Sequence, residues 1–329
     1  MEHLKHQPAA GTASGGKPLA KAGLKTGYVK KLLHDLRRDK LLYVLALPGL
    51  LFFLLFKYVP MWGVLISFQQ YSPFAGMLNS PWVGLEHFER FFSNPDFFLL
   101  FRNTMAISLL NLIFFFPLPI VVSLLLNELR GEMYKRFVQS IIYMPHFLSW
   151  VIIAGLTFLM FAKGEGLVNK VIEFFGGQRI DFLTNPDLFW IMVTAQSIWK
   201  EAGWGTIVFL AAMAGIDPQL YEAAKIDGAG RLRQIWHVTL PSIRSVIIVL
   251  LILRLGHIMD IGFEQIFLMY NGAVSKVAEV FDTYVYRVGI QQGQFSYSTA
   301  VGLFKSAVGL VLVMLANKLA KKFGEEGVY

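Results

Sequence analysis

The sequence predicts an all-α integral membrane protein with six transmembrane helices. Mean hydropathy is +0.52, charged residues make up 16% of the chain and hydrophobic ones 55%. A soluble globular domain carries about 25% charged residues, so this composition needs an apolar surrounding. The apolar residues also gather into runs near 20 residues long, the length that crosses a bilayer as a helix. Six such regions are expected, at roughly 41 to 68, 100 to 127, 138 to 162, 188 to 214, 242 to 262 and 296 to 317. The third observation is the placement of Lys and Arg. With a cytoplasmic N-terminus, the four inward segments hold nineteen of them and the outward ones seven. This asymmetry places both termini in the cytoplasm. It also accounts for the net charge of +8 without nucleic acid, since the basic residues are spread over four loops.

In chain order, residues 1 to 27 form a basic tail low in large apolar side chains, which cannot bury enough surface to order itself. Residues 28 to 40 follow, where Val29, Leu32, Leu33 and Leu36 recur at helical spacing among Lys30, Lys31, Arg37 and Arg38. That pattern suits a basic amphipathic helix on the membrane surface. The spanning domain occupies 41 to 325. Its first outside loop, "SPWVGLEHFERFFSNPDFF", alternates aromatics with turn formers and Glu86, Glu89 and Asp96. It reads either as an aromatic belt at headgroup depth or as a docking face. The chain has no cysteine, which excludes disulfides, thiolate catalysis and Cys-ligated metal; no His pair at helical spacing suggests a metal site, and none is expected.

Between the fourth and fifth runs lies "YEAAKIDGAGRLRQIWHVTLP", residues 221 to 241, polar in an otherwise apolar region. Asp217-Pro218 reads as a helix start, Asp capping free N–H groups and Pro filling a position whose N–H has no partner. The helix should run to about Ile226 and end at Gly228 in the left-handed conformation. At about 13 Å it is too short to stand alone in water. Ala223 and Ala224 keep one surface thin, with Glu222, Lys225 and Asp227 at its edge and Tyr221 beside it. A second short amphipathic segment, Arg231 to His237, should lead into Leu240-Pro241, with Pro opening the next span.

Glu222-Ala223-Ala224, Gly228, Val238 and Leu240-Pro241 stand at the spacing of the EAA loop of importer-type ABC permeases, with Val238 where Ile is usual. Together with "WVGLEHF" (82 to 88), "YMPHFLSWVI" (143 to 152), "GIDPQLYEAAKIDGAG" (215 to 230) and "QFSYSTAVGLFKSAVGLVL" (294 to 312), the chain over about 41 to 325 resembles the MalF-type permease subunits of carbohydrate ABC importers. "AVGLFKS" and the "GEEGVY" tail look closest to permeases for polysaccharide-derived oligosaccharides, such as the alginate importer. The resemblance implies a MetI-like type I importer fold in a bacterial inner membrane. It also implies a second, MalG-like permease, two cytoplasmic ATPase subunits carrying ATP and Mg, and an extracytoplasmic solute-binding protein. The loop 217 to 241 would be the coupling element, with Tyr221, Glu222, Ala223, Ala224, Lys225, Asp227 and Gly228 against the ATPase. No GxxxxGK[ST] phosphate loop is present, so no ATP is expected on this chain.

Charges inside the expected spans pose the remaining question. Lys200, Glu201, Arg254, His257, Asp260 and Lys305 fall within apolar runs. Each mid-bilayer Lys or Arg costs about 2.5 to 3.5 kcal/mol on insertion scales. Either these groups pair with one another as structural ion pairs, or they line a translocation site where Trp199 and Trp204 cover sugar rings and the cations bind hydroxyls or carboxylates. His146 and Trp150 on the third run are further candidates. Charge at positions where the maltose permease is mostly neutral implies an acidic oligosaccharide. Two rivals from other classes are an ATP-independent secondary transporter and a membrane-embedded glycosyl or prenyl transferase; the latter would need a DDxxD-like motif, which is absent.

Overall fold

The computed structural model describes residues 38 to 322, Gly324 and Gly327. The basic tail, nearly all of the amphipathic segment 28 to 40 and most of "GEEGVY" lie outside the described residues. Among those described, the only β pairing is an isolated bridge between Gln69 and Trp82, and the rest is helix and turn. The chain divides after Gly63 into two units.

Helix α1 (Lys40–Phe68) begins in the first unit, and none of its most apolar stretch is buried. In the second unit lie α2 (Phe97–Glu128), α3 (Glu132–Phe147), α4 (Trp150–Phe161) and α5 (Leu167–Phe174). They are followed by α6 (Pro186–Ala214), α7 (Pro218–Ile226), α8 (Arg231–Ser242), α9 (Arg244–Gly256), α10 (Phe263–Met269) and α11 (Phe295–Lys322). Among the described residues three helices, α1, α2 and α11, are long and apolar enough to cross a membrane, or up to five segments if the bent pairs α3/α4 and α8/α9 each count as one. Helix α6 has 29 residues, about 43 Å at the α-helical rise. Thr194, Gln196, Ser197, Lys200 and Glu201 dilute its apolar character.

Two expected spans take a different form. The run 138 to 162 is not one helix, because α3 and α4 meet at 100°. Pro145 sits in a tightened 3-10 turn, Met144–Phe147, after which Leu148 is extended. Ser149 then starts α4 by accepting a hydrogen bond from the Ile152 N–H at 3.3 Å. The run 242 to 262 is also shorter than expected, since α9 ends at Gly256. Pro241 does not open α9; it lies inside α8, and the 60° bend comes at Ile243.

The reason Pro241 is tolerated recurs along the chain. Five-residue π-turns at Leu54–Tyr58, Asn111–Phe115 and Ile235–Thr239 each precede a proline, Pro60, Pro117 and Pro241, by one residue. Proline has no N–H and its ring clashes with the carbonyl four residues back. Widening the turn moves that carbonyl aside: the Val59, Phe116 and Leu240 N–H groups bond to Leu54, Asn111 and Ile235 instead. Helices α1 and α2 thereby run through Pro60 and Pro117.

The loop after α1 contributes to the core. Phe91 is fully buried and packs edge-on against Phe97, Phe281, Phe304 and Tyr297, while Trp82, Leu85 and Phe92 stay exposed. Helix α6 is central, packing on both α2 and α3. A Cβ at Gly203 would overlap the Ile142 carbonyl, so only glycine lets α6 cross α3 this closely. That crossing brings Lys200 and Trp204 to the break between α3 and α4.

Candidate functional site

The polar stretch between α6 and α9 folds as its local signals dictate. The Asp217 carboxylate accepts a hydrogen bond from the Gln219 N–H at 2.9 Å, with Pro218 in the first turn. At the other end Gly228 has φ +75°. The Gly228 N–H bonds to the Lys225 carbonyl and the Ala229 N–H to the Ala224 carbonyl, at 3.0 and 2.8 Å. This double closure is a Schellman cap. The Tyr221 and Thr239 hydroxyls lie 3.0 Å apart, which ties α7 to α8. No residue of α7 is buried. Glu222, Ala223, Lys225, Asp227 and Gly228 are exposed and Ala224 half-buried, and the Ile226 side chain stands out with 87% exposure. The loop is also tethered to α2 by Arg231, whose guanidinium is 3.7 Å from the Glu128 carboxylate.

The intramembrane candidates separate into two centres. The first surrounds the α3/α4 break. Lys200 is 7% exposed, and its ammonium donates to the His146 and Leu148 carbonyls at 2.6 and 2.7 Å. These carbonyls lie where the chain leaves helix, and the lysine satisfies them in place of N–H groups. The Glu201 carboxylate is 3.6 Å from Lys200 and 2.7 Å from His146 Nδ1. The His146 ring stacks on Trp204, 4.4 Å apart and 4° from parallel. Trp150 presents its ring 5.6 Å from the ammonium. Trp199 turns elsewhere, into an apolar cleft of about 410 Å³ between α4 and α6 that Met160 and Gln196 also line.

The second centre joins α9, α11 and the turn after α9. Lys305, 9% exposed, is ion-paired with Asp260 at 2.8 Å and, more closely, with Asp282. Arg254 differs from both lysines. Among the described residues no carboxylate lies within ion-pair distance of it, the Glu201 charge acting on it only from farther off, and its guanidinium rests 5.4 Å from the Phe115 ring centre. Arg254 and His257 together line a cleft of about 310 Å³ whose other walls are apolar, among them Phe115, Phe116, Val208 and Leu253. The His257 Nδ1 lies 3.0 Å from the Leu253 carbonyl. Since a carbonyl only accepts, Nδ1 carries the proton and Nε2 is the free acceptor of the neutral ring.

Sequence reasoning missed Asp282, which lies outside any apolar run, and the amide pair Gln196 and Gln265. The Gln265 amide donates to Gln196 Oε1 at 3.0 Å and to the Val193 carbonyl at 2.6 Å, binding α10 to α6. A glutamine inside an apolar helix was the available signal. Among the described residues no group of His, Cys, Asp and Glu is arranged to hold a metal ion.

Residues 116–324 match the family described as binding-protein-dependent transport system inner membrane component. The chain is 60% identical over 300 residues to the polygalacturonan/rhamnogalacturonan transport system permease protein YteP of Bacillus subtilis (strain 168), covering 91% of this chain and 94% of that protein. Its fold is similar to a chain of a bacterial alginate ABC transporter in complex with an alginate pentasaccharide-bound periplasmic protein. There the TM-score is 0.83 at 41% identity, over 91% of this chain and 100% of the other. A chain of a bacterial ABC transporter involved in the import of the acidic polysaccharide alginate matches with TM-score 0.81 and 41% identity, over 89% and 99%.

Proposed function

We propose that this chain, which belongs to the family of binding-protein-dependent transport system inner membrane components, carries an acidic oligosaccharide inward by alternating access, with Arg254 receiving a cargo carboxylate. The chain is a multi-pass inner-membrane permease subunit of an oligosaccharide ABC importer, and not an enzyme. The ATP-independent transporter and the transferase are thereby excluded. A permease of this kind works with a partner permease, ATPase subunits and a solute-binding protein. On our reading the second permease is a different, MalG-like chain, and two ATPase copies hold ATP and Mg. Both termini and α7 face the cytoplasm. Helix α7 is the coupling helix: its capped ends make it rigid, and exposed Ile226 beside Ala223 and Ala224 suits a cleft on another subunit. Its motion would reach the spans through Tyr221 and Thr239 and through Arg231 and Glu128.

The acidic cargo rests on one observation, the half-buried Arg254 guanidinium on the wall of an apolar cleft with no carboxylate within ion-pair distance among the described residues and only the more distant Glu201 charge acting on it. An unpaired cation in such a place is costly unless an anion reaches it. The cargoes named for the similar proteins, polygalacturonan and the acidic polysaccharide alginate, support the same chemistry. His257, on the same cleft, would contact a hydroxyl, and Trp204 would offer a ring face. Lys200 and Lys305 are bound to protein groups, so we assign them to the structure of the path. The test uses the importer assembled with its ATPase and binding protein. Arg254→Ala should lower trigalacturonate-stimulated ATP hydrolysis about tenfold, the size of one charge-assisted hydrogen bond. The neutral methyl ester of the same trisaccharide should lose much less. Equal losses with both cargoes would remove the acidic reading.

A further inference from the structure

Beside the cleft, where α2 meets the turn after α9, a second cavity lies between Ser108, Asn111, Arg254, His257 and Asp260. Its volume is about 10 Å³, the space needed for the centre of one water-sized group. Asn111 is 4% exposed, and its Oδ1 has no hydrogen-bond partner among the described residues. A buried amide oxygen without a donor is destabilising, and in a lipid-surrounded helix no bulk water relieves it.

The chemistry of the lining narrows the occupant. Ser108 donates its hydroxyl proton to the Ile258 carbonyl, so toward the niche it offers only lone pairs. Asn111 Oδ1 and the Asp260 carboxylate also accept, while Arg254 only donates. Chloride or a carboxylate could accept from Arg254 but would face Asp260 and give nothing to Asn111. A bare monovalent cation would suit the oxygens but would meet the guanidinium. A neutral O–H group does both, donating to Asn111 and accepting from Arg254.

We propose that this niche is a binding site for a single hydroxyl-type group, a water molecule or one hydroxyl of the cargo, bridging Asn111 Oδ1 to Arg254. The arm with a cargo hydroxyl rests on the reading that the neighbouring cleft carries the saccharide. The bridge makes Asn111 a positioning residue for the guanidinium. It also gives the π-turn at Asn111–Phe115 a consequence, since that turn places this asparagine against the end of α9.

Two measurements test the site. In cryo-electron microscopy maps of the assembled importer, with and without trigalacturonate, density should lie within hydrogen-bonding distance of both Asn111 and Arg254. Density in both maps identifies water; density only with trigalacturonate identifies a cargo hydroxyl. An Asn111 amide rotated onto a protein donor, or a niche without density in both maps, overturns the proposal. Asn111→Asp keeps the shape and puts a carboxylate beside Arg254. It should cut trigalacturonate-stimulated ATP hydrolysis roughly tenfold, by the strength of a charge-assisted pair, while sparing the methyl ester. Where Arg254→Ala separates the two cargoes, an equal effect of Asn111→Asp on both also counts against the bridge. If density is present but Arg254→Ala treats the two cargoes alike, the acidic-cargo reading fails and the niche stands.

Discussion

Lys200 and Arg254 stand on α6 and α9, two helices in contact, and both place a cation where the sequence is otherwise apolar. Their surroundings differ. The ammonium of Lys200 is held by two backbone carbonyls at 2.6 and 2.7 Å, whereas Arg254 has an aromatic ring and an open cleft. Lys305 sides with Lys200, fixed between Asp260 and Asp282. A charge inside a membrane protein is therefore not by itself evidence of a cargo site. What distinguishes the roles is whether the protein already supplies the group's partners.

This contrast predicts a graded series of effects. Lys305→Met should be the most damaging, since it strands the Asp282 carboxylate, 21% exposed, while Asp260 at 57% exposure is less affected; a loss of about 3 kcal/mol is expected, the lower end of the range for breaking a buried ion pair. Thermal unfolding of the purified complex would show it, and adding Asp282→Asn should recover part of the loss. Lys200→Met leaves two carbonyls at the α3/α4 break without a donor, a loss of about 2 to 3 kcal/mol. Its signature is lowered stability with the preference between trigalacturonate and its methyl ester unchanged. A stable Lys200→Met protein with altered preference would erase the distinction between Lys200 and Arg254. Glu201→Gln should matter least. The carboxylate and His146 are about one-third exposed at 32% and 28%, so less than about 1 kcal/mol is expected, read from the same melting curves.

Much of the polar stretch between α6 and α9 was legible in the sequence. Asp217-Pro218, Ile226 and Gly228 mark the start and end of α7 as read. The third run shows the opposite case. Its apolar composition hid a 100° turn, because Pro145 tightens the chain while α6 pins the exposed carbonyls from outside. The fifth run misled in the same manner. A Leu-Pro pair commonly opens a helix, but the π-turn at Ile235–Thr239 absorbs Pro241 and moves the bend to Ile243. Asp282 carried no signal because it lies outside every apolar run; Asn111, an amide within the second run, carried the same signal as Gln196, but its importance comes from what faces it.

The sequence alone determined the helical class, the need for a membrane and the bounds of the short exposed α7. Each depends on composition or on hydrogen bonds closed within a turn or two of the same chain segment. Only the tertiary structure decided which buried charges are already partnered. Lys200 meets carbonyls 54 and 52 residues away, and Lys305 meets Asp282 across 23. Those partners are brought together by helix crossings such as the one at Gly203, and electrostatic and hydrogen-bond energies depend on that spatial separation rather than on distance along the chain.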